Sequence, residues 1–188
     1  MNYPFYKIDD FPELIPIQES WEAIRDEAME YIDSFYPIED ERNETGNWSF
    51  MPLKPATDDM DNHGDYLSDK VEEWKDKFGK TREICESIDN CGYSFSVLGP
   101  RGHIAPHSHG RNYVTAILGL DLEAPCKVRA AKKIEDFKQG EFTIFDFREE
   151  HEVWNFSNKN RLVMLLAIPN RHQKSGFLNY IKEKDESV

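Results

Sequence analysis

Three of the chain's six histidines, His103, His107 and His109, fall within seven residues, and His151 lies in the segment EEHEVW. In extended chain, side chains two residues apart share a face, so His107 and His109 are able to aim together. His103 joins them only if the segment stays regular through Pro106. With His151 these side chains make a set that a divalent transition metal accepts, because neutral imidazole suits Fe, Zn, Cu and Ni. The spacing permits a metal site without requiring one, since single surface histidines are common. His63 and His172 stand in polar surroundings and point to nothing. Arg161 opens the most apolar run of the chain, RLVMLLAIP, where a guanidinium is costly unless it meets an anion. Its planar fork matches a carboxylate, so a small carboxylic acid near the histidines is one reading. The other is an arginine at a strand start with its head in solvent.

The elements that must hold these residues fall into two halves. Ser20 stands where a helix cap is expected, before Trp21, Ile24, Ala28, Tyr31, Ile32 and Phe35 at spacings of three and four, and Pro37 stops the pattern. A short strand is expected at the aromatic island 48–50, and a second helix over 68–78 with Val71, Trp74 and Phe78 on one face. From Gly92 the pattern changes to short β-branched and aromatic runs, at 93–98, 112–120, 127–131, 142–147, 152–156 and 161–168. Six such strands predict an antiparallel barrel or jelly roll. The expected organisation is a single domain over 1–188: an acidic helical flank with a short strand (1–90), a β core (91–170) and a tail (171–188).

Charge divides along the same line. Of a net −13, residues 1–90 carry −15 and residues 91–188 carry +2. Without a basic stripe the chain is not expected to bind nucleic acid or an anionic membrane, and the acid reads as solvated helix faces. The opening MNYPFYKIDDF has no basic and apolar leader pattern, and the longest apolar stretch, 162–168, is far short of the roughly 20 residues a membrane-spanning helix needs. Cys85, Cys91 and Cys126, odd in number and sparse, fit a reducing cytoplasm and read as packing residues.

The segments YSFSVLGPRGHIAPHSHGRN, AILGL, CKVRAA and FKQGEFTIFDFREEHEVWNFSNKNRLVMLL, in that order across about residues 92–169, resemble the aspartyl/asparaginyl β-hydroxylases, which are iron(II)- and 2-oxoglutarate-dependent oxygenases. Weaker likeness extends to the helix at Trp21 and to GNWSF around Trp48. The resemblance implies a fold that is mainly β with flanking helices, a double-stranded β-helix (jelly roll, cupin-like) core. It implies that His107 and His151 hold the iron, that Arg161 holds the far carboxylate of 2-oxoglutarate, and that Ser96 and Trp48 make further cosubstrate contacts. His103 stands where the family often has a histidine and receives no catalytic role.

Two departures leave alternatives open. Where family members commonly have glycine two residues after the first iron-binding histidine, and some related hydroxylases have aspartate, this chain has His109. It completes a three-imidazole metal site, or turns aside toward substrate, or leaves the third metal position to a water. Before LGL the family often shows a basic pattern ending in histidine, and here stand Tyr113, Val114, Thr115, Ala116 and Ile117. Arg111 or Arg148 then substitutes for the second anchor, or the pocket takes a different acid.

The expected function is hydroxylation of an unactivated C–H of an amino acid, peptide or related small substrate, with dioxygen as co-reactant and succinate and CO2 as co-products. Its competitors are a three-histidine cupin-type enzyme such as a thiol dioxygenase, favoured by His109, and a non-enzymatic ligand-binding jelly roll.

Overall fold

The computed structural model describes residues 4–55, 70–89, 91–109, 113–123 and 125–170. Twelve strands among them form two antiparallel sheets. The strands are β1 (Phe5–Tyr6), β2 (Tyr36–Pro37), β3 (Asn43–Thr45), β4 (Trp48–Lys54), β5 (Gly92–Leu98), β6 (His103–His107), β7 (Tyr113–Asp121), β8 (Cys126–Ala130), β9 (Lys133–Asp136), β10 (Phe142–Asp146), β11 (His151–Asn155) and β12 (Arg161–Pro169). The large sheet runs β1-β10-β7-β12-β5-β4-β2 and the small one β3-β6-β11-β8-β9. Four strands of each, β10-β7-β12-β5 and β6-β11-β8-β9, face one another as the two halves of a jelly roll, as the sequence predicted.

Burial explains why the two sheets read differently in sequence. Every residue of β5 is buried and β12 begins with four buried residues, because the large sheet is covered on both faces and so selects near-continuous apolar runs. In the small sheet, β8 and β11 alternate strictly between buried and half-buried, with one face toward the interior and the other toward water. The outer face of the large sheet packs Phe95, Met164 and Leu166 under the helices; its inner face, with Leu98, Ile117, Phe145 and Val163, meets Val128, Ala130 and Val153 of the small sheet.

The helices depart from expectation in detail. The first, α1 (Ile15–Glu19), and the second, α2 (Trp21–Glu30), bury Ile17, Ile24 and Ala28. Ser20 does not cap α2; its hydroxyl donates to the Pro16 carbonyl at 2.8 Å. The helix ends at Glu30 instead of reaching Phe35, because the Tyr31 N–H bonds the Ala28 carbonyl and the chain tightens into a 3-10 turn at Ile32–Ser34. Of the helix expected over 68–78, residues 68 and 69 lie outside the described residues and 70–73 form a single helical turn. A separate helix, α3 (Gly79–Cys85), follows. Phe78 separates the two with φ 57, a left-handed conformation costly for a bulky residue, while its ring is buried against Tyr31 and Phe95. Glu27 of α2 accepts hydrogen bonds from the Lys80 and Thr81 N–H groups and the Thr81 hydroxyl, which docks the start of α3.

The strand expected at 48–50 continues to Lys54 through Pro52. Proline is tolerated there because β2 pairs only with Phe50 and Ser49, so the side lacking an N–H faces an open edge. Strands β1, β2, β3, β6 and β9 were not among those predicted: β1, β2 and β3 are too short to show alternation, and β6 contains Pro106.

Candidate active site

The histidines are sorted by a defect in one ladder. Between β11 and β6, His151 pairs with His107 and Val153 pairs with Ile104, so two steps along β11 oppose three along β6. The extra residue is a β-bulge at Ala105–Pro106, where a missing N–H is tolerated. Ile104 faces the interior and is 5% exposed, so regular alternation would put both His103 and His107 outside. The bulge reverses the parity, and only His107 turns inward. His103 remains outside, with Nδ1 2.7 Å from a Glu44 carboxylate oxygen, Nε2 3.2 Å from one of Glu152, and its ring stacked on Trp154.

His107, His109 and His151 converge, each offering a ligand atom within 4.8 Å of the others. His107 Nδ1 lies 2.8 Å from the Ala105 carbonyl and His151 Nδ1 2.8 Å from the Glu149 carbonyl. A carbonyl only accepts, so both rings carry their proton on Nδ1 and leave the Nε2 lone pair available. Burial pushes both imidazoles down from their ordinary pKa, His151 to about 3, and at neutral pH both are uncharged. His109 lies past the end of β6, not on it. Its N–H donates to the Phe147 carbonyl at 3.1 Å and its ring stacks on Phe147 with centroids 3.7 Å apart.

Arg161 occupies the other end of the interior. It is 2% exposed, and its Nε and Nη1 have no hydrogen-bond partner; the guanidinium rests 5.3 Å from the Phe137 ring. Desolvation pushes its pKa down to about 10, so it stays cationic at neutral pH. From His151 to Asn155, where β11 turns toward Arg161, four residues at about 3.3 Å each span about 13 Å. Asn155, fully buried, fixes that turn: its amide donates to the Leu98, Gly99 and Lys159 carbonyls, and its oxygen accepts from Ser157. On the wall between the two ends, Trp48 Nε1 donates to the Ser96 hydroxyl at 3.0 Å. Trp48 is delivered by a close crossing of loops in which Gly46, at φ 80, leaves no room for a side chain: a Cβ there would stand 2.6 Å from Gly102 Cα.

Arg148 is not available as a second anchor. Its Nε and Nη2 donate to both Asp146 carboxylate oxygens at 2.9 and 2.7 Å, and Asn170 also donates to Asp146. Arg111, the other possibility, lies outside the described residues. Sequence reading passed over Asn155, Phe147 and Phe137. Asn155 sits in the polar stretch NFSNKN, which reads as an ordinary turn, and no spacing rule marks the other two. The three cysteines are buried thiols, with burial pushing Cys85 and Cys91 up to about 12, which fits packing residues and not nucleophiles.

The sequence profile of the family described as aspartyl/asparaginyl beta-hydroxylase matches residues 18–171. The chain belongs to that family. It is 27% identical over 158 residues to the aspartyl/asparaginyl beta-hydroxylase of Mus musculus, a match covering 81% of this chain and 21% of that protein. The chain thus spans about a fifth of the length of the curated relatives it first matches. It is also 32% identical over 76 residues to the ornithine lipid ester-linked acyl 2-hydroxylase of Rhizobium tropici, covering 38% of this chain and 27% of that one. Among solved structures, a Pseudomonas putida prolyl-4-hydroxylase shares the fold at TM-score 0.54 and 16% identity, over 85% of this chain and 90% of that one. Among the described residues no helix is long and apolar enough to cross a membrane.

Proposed function

We propose that the chain is an iron(II)- and 2-oxoglutarate-dependent hydroxylase whose metal is held by His107, His151 and His109. The observation that carries this reading is the pairing of two ends of one interior: three converging imidazoles at one, and at the other a buried guanidinium with two unpartnered nitrogen atoms. A buried cation without a counter-charge is destabilising, so its retention fits a bound anion. The far carboxylate of 2-oxoglutarate supplies one, and its 2-oxo acid end then lies toward the histidines. A site of three neutral imidazoles leaves the metal's charge uncompensated, which favours an anionic chelating ligand.

When bound, iron(II) with 2-oxoglutarate supplies the oxidant: one atom of dioxygen enters the substrate C–H as hydroxyl, the other enters succinate, and CO2 leaves. The chain's own residues do the rest. Ala105 and Glu149 hold the imidazole tautomers, Phe145 and Phe147 flank His151 and exclude water, and Arg161 orients the cosubstrate, with Ser96 and Trp48 along its wall. The chain, residues 1–188, acts as a single domain. The substrate is an amino acid, a peptide or a related small molecule, and neither nucleic acid nor a membrane surface is a partner.

The test is anaerobic addition of iron(II) and 2-oxoglutarate. A weak visible charge-transfer band, followed by succinate on admitting oxygen, is expected; absence of both overturns the reading. A second reading rests on the convergence of His109 with the other two rings: a three-histidine thiol dioxygenase. It predicts oxygen uptake with a thiol and no requirement for a 2-oxo acid.

A further inference from the structure

A second arginine stands at the histidine end of the interior. Arg42, in the loop before β3, is fixed in three ways. Its Nε donates to Asp40 Oδ1 at 2.8 Å and its Nη2 to Asp40 Oδ2, its guanidinium lies 6.0 Å from the Trp48 ring centroid, and its carbonyl accepts from the Ala105 N–H at 2.7 Å. Ala105 is the bulge residue whose own carbonyl holds His107. The backbone of Arg42 is therefore two hydrogen bonds from a metal-ligand candidate. The side chains of Arg42 and Asp40 are 24% and 17% exposed, so the pair is half-buried and still reachable from solvent.

Asp40 engages one edge of the guanidinium. Nη1, with two N–H donors, makes no hydrogen bond among the described residues, and it is not sealed from solvent. An arginine with its fork half used and held still is preorganised for a carboxylate at low entropic cost. Arg161, at the opposite end, is already assigned to 2-oxoglutarate, so an anion at Arg42 is a different molecule.

We propose that Arg42, clamped by Asp40, binds a carboxylate of the substrate, and that the substrate is a small free acid carrying an ammonium group nearby, an α-amino acid. The Asp40 carboxylate, whose oxygens already accept from the Arg42 N–H, Nε and Nη2, sets a negative charge beside the site where the ammonium of such a zwitterion lies. This inference rests on the hydroxylase reading and names the substrate class of that site.

The experiment offers the full chain, with iron(II), 2-oxoglutarate and oxygen, the free L-amino acids and in parallel their C-terminal amides, with mass detection of a gained oxygen atom. Free acids are expected to be hydroxylated with kcat/KM about tenfold or more above their amides. In Arg42→Gln that preference is expected to fall to near unity, and in Asp40→Asn to weaken, with thermal unfolding recorded for both. Arg42→Lys, which keeps the charge and loses the fork, should retain part of it. Amides accepted as well as acids, or a preference that survives Arg42→Gln, overturns the proposal. Succinate formation with no oxygen gained by any free acid also overturns it while leaving the hydroxylase reading standing; no succinate under any condition removes that reading instead.

Discussion

His107 stands directly opposite His151 across the β6–β11 ladder, with ring centroids 4.2 Å apart, and it does so only because one extra residue at Ala105–Pro106 reverses the face of β6. Restoring regular alternation would send His107 to the side where His103 meets Glu44 and Glu152. Deleting Ala105, by contrast, removes the extra residue and leaves His107 two positions from Ile104 on the same inward face, so divalent metal binding, read by calorimetric titration with cobalt(II), is expected to survive it.

His109 reaches the other two rings from outside the strand, braced on Phe147. If it is a ligand, His109→Ala lowers cobalt(II) affinity at least about tenfold, a loss of about 1.4 kcal/mol, and changes the visible spectrum of the bound ion. Unchanged affinity and spectrum would assign His109 to substrate instead.

Arg161 sets stability against function. Replacing it with Met removes a buried charge whose Nε and Nη1 have no partner, so the ligand-free protein should become more stable by about 1–4 kcal/mol in urea unfolding. The same variant should lose the stabilisation that 2-oxoglutarate confers on the wild type, about 2.7 kcal/mol at a hundredfold excess over Kd. A wild type not stabilised by 2-oxoglutarate in the presence of metal would contradict the anion site.

Asp146 and Arg148 form a buried pair, with side chains 1% and 8% exposed, at the turn that carries Phe147 to His109. Asp146→Ala removes the carboxylate that accepts from the Arg148 Nε and Nη2 and is expected to cost about 3–5 kcal/mol. Asn155→Ala, which removes one donor from each of three carbonyls at the turn into Arg161, should cost about 1–3 kcal/mol by the same measurement.

The metal-free protein should weaken as pH falls from 6.5. His151 is held down to about 3 in the fold against 6.5 when unfolded, so in that interval the unfolded chain binds more protons and acid favours unfolding. His107 shifts in the same direction. Urea midpoints between pH 6.5 and 5, where exposed carboxylates remain ionised, should fall in the wild type and fall less in His151→Phe.

Much of this protein is legible along the chain. The runs that become β5, β7, β8, β10, β11 and β12 stand out because their burial imposes continuous or alternating apolar patterns, and the ordered motifs from 92 to 169 point to the family whose profile the chain matches. Arg161 is conspicuous for the same reason, as a charge in an apolar run. The helix α3 was not visible, because the left-handed break at Phe78 depends on a pocket formed by Tyr31 and Phe95, from elements distant in sequence.

By itself, then, the sequence determined which residue types are present, their periodicity and hence the β-rich class, and the order of the motifs, since these are local properties. The tertiary structure decided which histidines meet. Four are close in sequence or motif, yet a bulge sends His103 out and His107 in, Phe147 draws in His109 from beyond the strand, and Asp146 claims Arg148. Each of these outcomes turns on ladder register or on a partner far along the chain, and a one-residue slip in register exchanges the two faces of a strand.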